Sequence, residues 1–236
     1  LSSAASDVYK RQVLRHVANA KDINAVLGYM EHTGKAPEVA PIAPPEVSAR
    51  DTAELMNPGV YFNDEVRQNL IQNYRGLFTS RAQFYANFDK FLSYRKDNKK
   101  AETTKLLEEN YQLSIAMSEY KQVIFDILSP LTEQAEKELL ADEPLKDQIM
   151  AMRKMSGTVQ SIMNLYSRKH VMDGMRIDVK MAELKKELEA AKKLPAVTGY
   201  DEELKNYQSF LSSVESFMKD MQKALSLIHI SEPTRP

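Results

Sequence analysis

The chain has no cysteine and no tryptophan, and only 7 glycines among its 236 residues. The first absence excludes disulfides, thiolate metal sites and cysteine nucleophiles. It leaves the compartment open, because cytosolic and exported chains alike can lack the residue. The scarcity of glycine argues against a strand-rich fold, whose tight turns need residues tolerant of positive φ. No run approaches the roughly 18 consecutive apolar residues of a membrane span. Neither sign of charge dominates: 32 basic residues stand against 33 acidic ones, a net charge of −1. The clustered cations of a nucleic-acid surface are therefore missing, and nucleic acid is excluded as a partner.

The two ends are read apart from the rest. Asp7-Val8-Tyr9-Lys10-Arg11-Gln12 can be encoded by DNA whose reverse complement reads Leu-Ser-Leu-Ile-His-Ile, which is Leu225 to Ile230. No rule of folding asks for such an inverted repeat. It resembles the transposon end used in sequencing-library adapters. Residues 1–12 and 225–236 are therefore expected to be adapter-derived rather than native, and they are left out of the fold reading. On this reading the interpretable part of the protein runs from about Val13 to Ala224, and its true ends lie outside the sequence in hand. A signal peptide or lipid anchor could precede it, and His229 carries no functional weight.

What is abundant is Ala, Glu, Lys, Leu and Met, all good helix formers. The spacing predicts a first helix from Val13 to about Met30, with Val17, Val26, Leu27 and Met30 near one face, ended by Gly34 and Pro37. Residues 31–60 then read as a proline-rich loop or linker. Pro37, Pro41, Pro44 and Pro45 cannot sit inside a helix and favour extended backbone. A surface loop is the plain reading there, and a proline-rich ligand for a partner domain is the sharper one. Asn57-Pro58-Gly59 signals a turn.

A long helix is predicted from Asn63, a good N-cap, with Asp64 and Glu65 favourably placed against the helix dipole. Its stripe runs through Val66, Leu70, Tyr74, Leu77, Phe84, Phe88, Phe91 and Leu92, with Gly76 a tolerated weak point. Tyr94 to Lys100 is polar and reads as a turn or an exposed continuation. Beyond it lies the clearest pattern. Leu106, Asn110, Leu113, Met117, Tyr120, Ile124, Ile127 and Leu131 alternate steps of four and three, a heptad seam that no strand could bury. Asn110 either sets register against a partner helix or lies at a partly exposed end. Pro130 is expected to kink this helix without ending it, the alternative being a new helix capped by Ser129 with Pro130 at its first position. Asp142 and Pro144 mark the next start. Further stripes follow through Leu145 to Tyr166, Ile177 to Ala191, and Leu204 to Met221, the last beginning near Asp201. No single stripe is buried by its own helix, so the helices must pack on each other. The expected fold is all-α: an elongated antiparallel helical bundle with coiled-coil-like packing, in a single domain over residues 13–224.

Catalytic motifs are sparse. Apart from His229, the histidines are His16, His32 and His170. None belongs to HExxH, and no Glu-x-x-His exists to build a di-iron bundle site. Nucleophile elbows and phosphate-binding glycine loops are absent too. His170 reads as a helix-end cation. Met150, Met152, Met155, Met163, Met172, Met175 and Met181 crowd one third of the chain. Thioethers can hold copper(I) or line an adaptable groove, but core packing is the favoured reading. Phe84, Phe88 and Phe91 are expected to face the bundle, with Tyr85 and Tyr94 at its rim. Glu108-Glu109, Asp142-Glu143 and Glu202-Glu203 read as solvated faces, because adjacent helical residues point apart. No catalytic, cofactor-binding or metal-ligating residue is assigned, and the protein is read as not an enzyme.

One resemblance stands beside these readings. The segment "KDINAVLGYM", followed by "FDKFLSYRKDNKKAETTKLLEENYQ", resembles the YiiG-like family of bacterial envelope lipoproteins. Asn24, Tyr29, Tyr94, Lys96, Asp97 and Leu106 are the matching positions. The resemblance implies an exported, all-helical, lipid-anchored protein of unknown function, with no catalytic residues to carry over. The function expected is that of a non-enzymatic envelope protein acting as a binding or structural module in the periplasm. A protein partner or self-association is open to it. The alternatives are a cytosolic coiled-coil scaffold and a small-molecule-binding helical bundle.

Overall fold

A computed structural model describes residues 17–32, 39–56, 62–168 and 173–231. The expectations for Val13, His16, Gly34, Pro37, Asn57 to Gly59, His170 and Met172 lie outside the described residues. Among the described residues all regular structure is helical. The seven helices are α1 (Ala20–Glu31), α2 (Ala49–Met56), α3 (Asp64–Lys96), α4 (Lys100–Leu139), α5 (Lys146–Tyr166), α6 (Gly174–Lys192) and α7 (Asp201–Ser231).

The helix starts follow from local chemistry. Asn19 caps α1, accepting from the Lys21 N–H, and Asn63 caps α3 through a 2.9 Å bond from the Val66 N–H. Asp173 caps α6 by accepting from the Arg176 N–H. These side chains satisfy donors that have no partner within the helix. The first helix thus begins at Ala20, later than expected, and Val17 is buried in the turn before it. Between α3 and α4 the chain turns at Asp97–Lys99, with Asn98 at φ 53°. Asn98 suits that position, since asparagine tolerates left-handed backbone better than most residues.

The described residues gather into two compact units, one within Leu1–Thr132 and Ser167–Val171, the other within Glu133–Tyr166 and Met172–Pro236. Each has its own apolar core, where the sequence reading put one domain over residues 13–224. The stripes predict that helices bury each other, but not which of them share a core.

In the first unit, the core is built on α1, α3 and α4 around Leu27, Tyr74, Leu77, Phe84, Phe88, Met117 and Ile124. The proline-rich stretch is no free linker. Ser48 and Asp51 exchange hydrogen bonds that start a short helix, α2, and Leu55 of that helix is buried. Arg81 of α3 reaches back to the carbonyls of Pro44 and Pro45, at 3.4 and 3.0 Å. The guanidinium supplies donors to carbonyls of a non-helical segment, and this contact holds the segment against α3.

Gly76 on α3 departs from expectation, and Asn110 on α4 decides between two. A Cβ on Gly76 would stand 2.3 Å from the Tyr120 ring. Gly76 is thus the point of close approach between α3 and α4, not merely a weak spot. Asn110 is fully buried. Its amide donates to the Phe84 carbonyl at 3.1 Å and its oxygen accepts from Asn87 at 3.1 Å. Its nitrogen also lies 3.3 Å from Met30 Sδ. The register reading is the correct one of the two, and the exposed-end reading falls.

Helix α4 runs through Pro130 without a break. Proline leaves the Asp126 carbonyl without its helical donor. Around it, Ser129 and Thr132 hydroxyls donate to the Phe125 and Leu128 carbonyls. The heptad seam holds as far as Ile124. Then Leu128 and Thr132 are buried, and Leu131 is exposed. A straight helix drifts by about 20° per heptad from a 3.5-residue repeat, so the buried line moves one position on.

In the second unit, α5, α6 and α7 pack around Met155, Ile162, Ile177, Leu184, Leu188, Leu211 and Val214. Helix α5 starts at Lys146, after Pro144 rather than around it, with no cap from Asp142. Tyr207 of α7 donates to the Ala191 carbonyl at 2.6 Å, closing the end of α6, and Lys192 pairs with Glu215. Gly199, at φ +91°, turns the chain between α6 and α7 where a side chain would be strained. The apolar run at the C-terminal end continues α7 as helix to Ser231, with Leu225 buried.

Candidate functional site

A concavity of ligand size lies within the second unit. It is a cleft of about 500 Å³ lined by the end of α4, the first half of α5 and the last turns of α6. That volume falls in the range of small-molecule sites, roughly 300–1,000 Å³. Helical spacing places its walls. Met150 and Ala151 of α5 line it with Ala190 and Ala191 of α6 and Leu194 just beyond that helix, and Leu140 and Ala141 complete the apolar surface. Small side chains open the cleft: four alanines, two of them on α6, leave space in its apolar lining that larger residues would fill.

Charged residues rim this surface: Glu133, Lys137, Lys146, Asp147, Lys154 and Glu187. Lys137 and Glu133 pair at 3.7 Å along α4. Glu187 is set deeper than the others. The Thr158 hydroxyl lies 2.8 Å from its Oε1 and 2.9 Å from its Oε2. Burial pushes the Glu187 carboxyl above the ordinary carboxylate range; the Thr158 hydrogen bond opposes this, nearby Glu183 adds to it, and Lys154 and Lys180 oppose it. A Gln148 side chain, itself buried, donates to the Pro195 carbonyl at 3.0 Å and ties α5 to the chain after α6.

The residues singled out in the sequence are not brought together here, Met150 excepted. Met155 and Met181 are core residues, Met152 packs against the core, and Met163 and Met175 are exposed. His32 ends α1, and its carbonyl accepts from Arg95. Phe84, Phe88 and Phe91 face the core as expected. Tyr85 does not sit at the rim. It is buried under the Arg81 guanidinium, 5.2 Å from the ring centroid, with its hydroxyl pushed up to about 12 by burial. Among the described residues, no group of three or more metal-ligating side chains comes together. No described helix is long and apolar enough to cross a membrane.

Glu187 escaped the sequence reading because it sits among like neighbours, in "KKELEAAKK". Its partner Thr158 is 29 residues away. The only local signal is the Ala190-Ala191 pair beside it, small residues next to a stripe of leucines.

Comparison with known proteins places the chain. Residues 8–142 match the model of a domain of unknown function, DUF6845, and residues 144–232 match the DUF3829-like C-terminal domain. An uncharacterized DUF3829-like protein from Bacteroides thetaiotaomicron is 69% identical. The match covers 95% of this chain and 89% of that one, with a TM-score of 0.84. The chain belongs to the DUF3829-like family. An alpha helical protein from Bacteroides fragilis is 56% identical to this DUF3829-like chain, over 95% of it and 90% of the relative, with a TM-score of 0.85. No curated protein matches. The matching family models carry other names than the YiiG-like one. The resemblance holds in its coarser form, a helical protein of a family of unknown function. Its positions do structural work in the first unit: Asn24 donates to the Ser167 carbonyl, and Tyr29 packs edge-on against Phe88.

Proposed function

We propose that this DUF3829-like protein is a non-enzymatic binding module of the bacterial cell envelope, and that it holds a small ligand in the cleft of its second unit. One observation carries the reading. An apolar surface of ligand-sized volume is rimmed by charged groups, with a single carboxyl withdrawn among them. Convergent polar groups over an apolar floor, with a perturbed ionisable group among them, are the usual marks of a binding site. The charged rim supplies no nucleophile paired with a base, which favours holding a ligand over transforming it. The envelope location rests on the YiiG-like resemblance, and the cytosolic scaffold is its rival.

Binding is tested by filling the cleft. Ala190→Trp is expected to abolish saturable binding of small amphiphiles by the full chain while its helical circular dichroism persists. Unchanged binding in that variant would place any ligand elsewhere. The location is tested by expressing the full genomic reading frame and fractionating cells: recovery in the soluble cytosol counts against it. The reading of residues 1–12 and 225–236 as translated adapter belongs here too. The family matches run from residue 8 to residue 232 and so reach into both ends. Sequencing the genomic locus across both junctions tests it, and genomic codons for Asp7–Gln12 would end it.

A further inference from the structure

Resting on the reading of the cleft as a ligand site, we infer that its ligand is a cationic amphiphile: a primary amine whose ammonium meets Glu187 and whose apolar body lies over Leu140, Met150 and Leu194. Four features of the cleft choose the cation over an anion.

The first is the depth of the charges. Lys146 and Lys154 are exposed, so their ammonium groups keep their water and offer an anion little more than solvent does. Glu187 is set back beside the alanines of α6. A charge interaction strengthens as the surrounding medium becomes less polar, so the withdrawn group is the stronger anchor.

The second is spare acceptor capacity. Thr158, on the neighbouring helix, stands within bonding distance of both carboxylate oxygens, and its hydroxyl also lies 3.2 Å from the Lys154 carbonyl. A single hydroxyl supplies one hydrogen, and a carboxylate offers about four lone-pair positions. Acceptor capacity therefore remains for the donors of an ammonium group.

The third is the absence of a competing partner. Among the described residues Glu187 has no ion pair within bonding distance. Lys154 and Lys180 act on it from farther away, and Glu183 adds charge of its own sign. Of the other groups on the cleft, Asp147 favours a cation, Lys146 opposes it, and Glu133 and Lys137 pair with each other.

The fourth is the raised carboxyl. Burial without a counter-charge in contact makes the ionised form costly, and a ligand ammonium would supply that charge. The amine thus recovers an electrostatic deficit that a neutral or anionic molecule of the same shape leaves in place.

The experiment titrates the full chain with octylamine, octanol and octanoate, three molecules of similar length that differ in head group. At about pH 8 octylamine is expected to bind at least about tenfold more tightly than octanol, with octanoate the weakest. Glu187→Gln is expected to bring octylamine down to the level of octanol and leave octanol unchanged. The unaltered protein supplies a second readout. The amine's advantage should shrink as pH falls from about 8 to about 4, because the carboxyl becomes protonated while the amine stays charged. Tighter binding of octanoate, equal binding of all three, or an amine advantage that is flat with pH would overturn the inference while leaving a ligand site in place. Failure of all three to saturate would overturn both the inference and the reading on which it rests.

Discussion

Gly76 and Gly157 offer a test in which one substitution has opposite signs in two helices. Both lie inside helices, Gly76 in α3 and Gly157 in α5. Replacing an interior helical glycine by alanine gains about 1 kcal/mol, mainly by reducing the freedom of the unfolded chain. At Gly157 a Cβ would meet nothing within 4 Å, so the full gain should appear. At Gly76 it would stand 2.3 to 2.8 Å from three atoms of the Tyr120 ring. The ring or the helix must move, and overpacking of this kind costs about 1–3 kcal/mol. The cost exceeds the gain, so Gly76→Ala is expected to destabilise by about 1 kcal/mol. Removing the obstacle should reverse the sign: in a Tyr120→Ala background, Gly76→Ala should stabilise by about 1 kcal/mol, a coupling of about 2 kcal/mol. Urea unfolding followed by circular dichroism measures all four corners of the cycle, and the expected change in midpoint on heating is a few degrees. If Gly76→Ala stabilises the unmodified protein as much as Gly157→Ala does, the close approach of α3 and α4 at this point is refuted.

Three further outcomes are expected. Asn110→Leu should cost about 1–3 kcal/mol in urea unfolding, because Asn87 and the Phe84 carbonyl lose a buried partner; an unchanged midpoint would remove the network from the stability of the first unit. Asn63→Ala should cost about 1 kcal/mol through loss of the α3 cap, read in the same assay, and rescue by Asn63→Asp would attribute the loss to the side-chain oxygen. Lys121, which donates to the Ala18 carbonyl, is pushed down from 10.5 to about 8 by burial. Its charged form is therefore disfavoured on folding, fully so below about 8. That penalty lifts as pH rises from about 8 toward 10.5, so the wild type should gain stability relative to Lys121→Met across that window; a gap that does not change with pH would contradict it.

The candidate site was far less legible than the helices that carry it. Met150 drew notice only as one of seven methionines, and Glu187 drew none. A carboxylate becomes distinctive by losing water, and water is lost here only when α5 brings Thr158 against α6. Tyr85 makes the same point in the first unit. Its place on the helix suggested a rim, yet it is buried, with Arg81 over its ring.

Local chemistry determined the helices themselves. Period, caps and glycine scarcity act within a turn or two of chain. They placed Asn63 at a helix start and carried α4 through Pro130. They also reserved Asn110 a place on the seam, though not its burial. Tertiary structure alone decided that the stripes serve two cores, that a proline-rich stretch is held by Arg81, and that the buried line of α4 passes to Leu128 instead of Leu131. Those outcomes depend on which surfaces meet. A pattern along one helix states that a face must be covered, and only the partner's side chains fix where the cover fits and where it leaves a cleft.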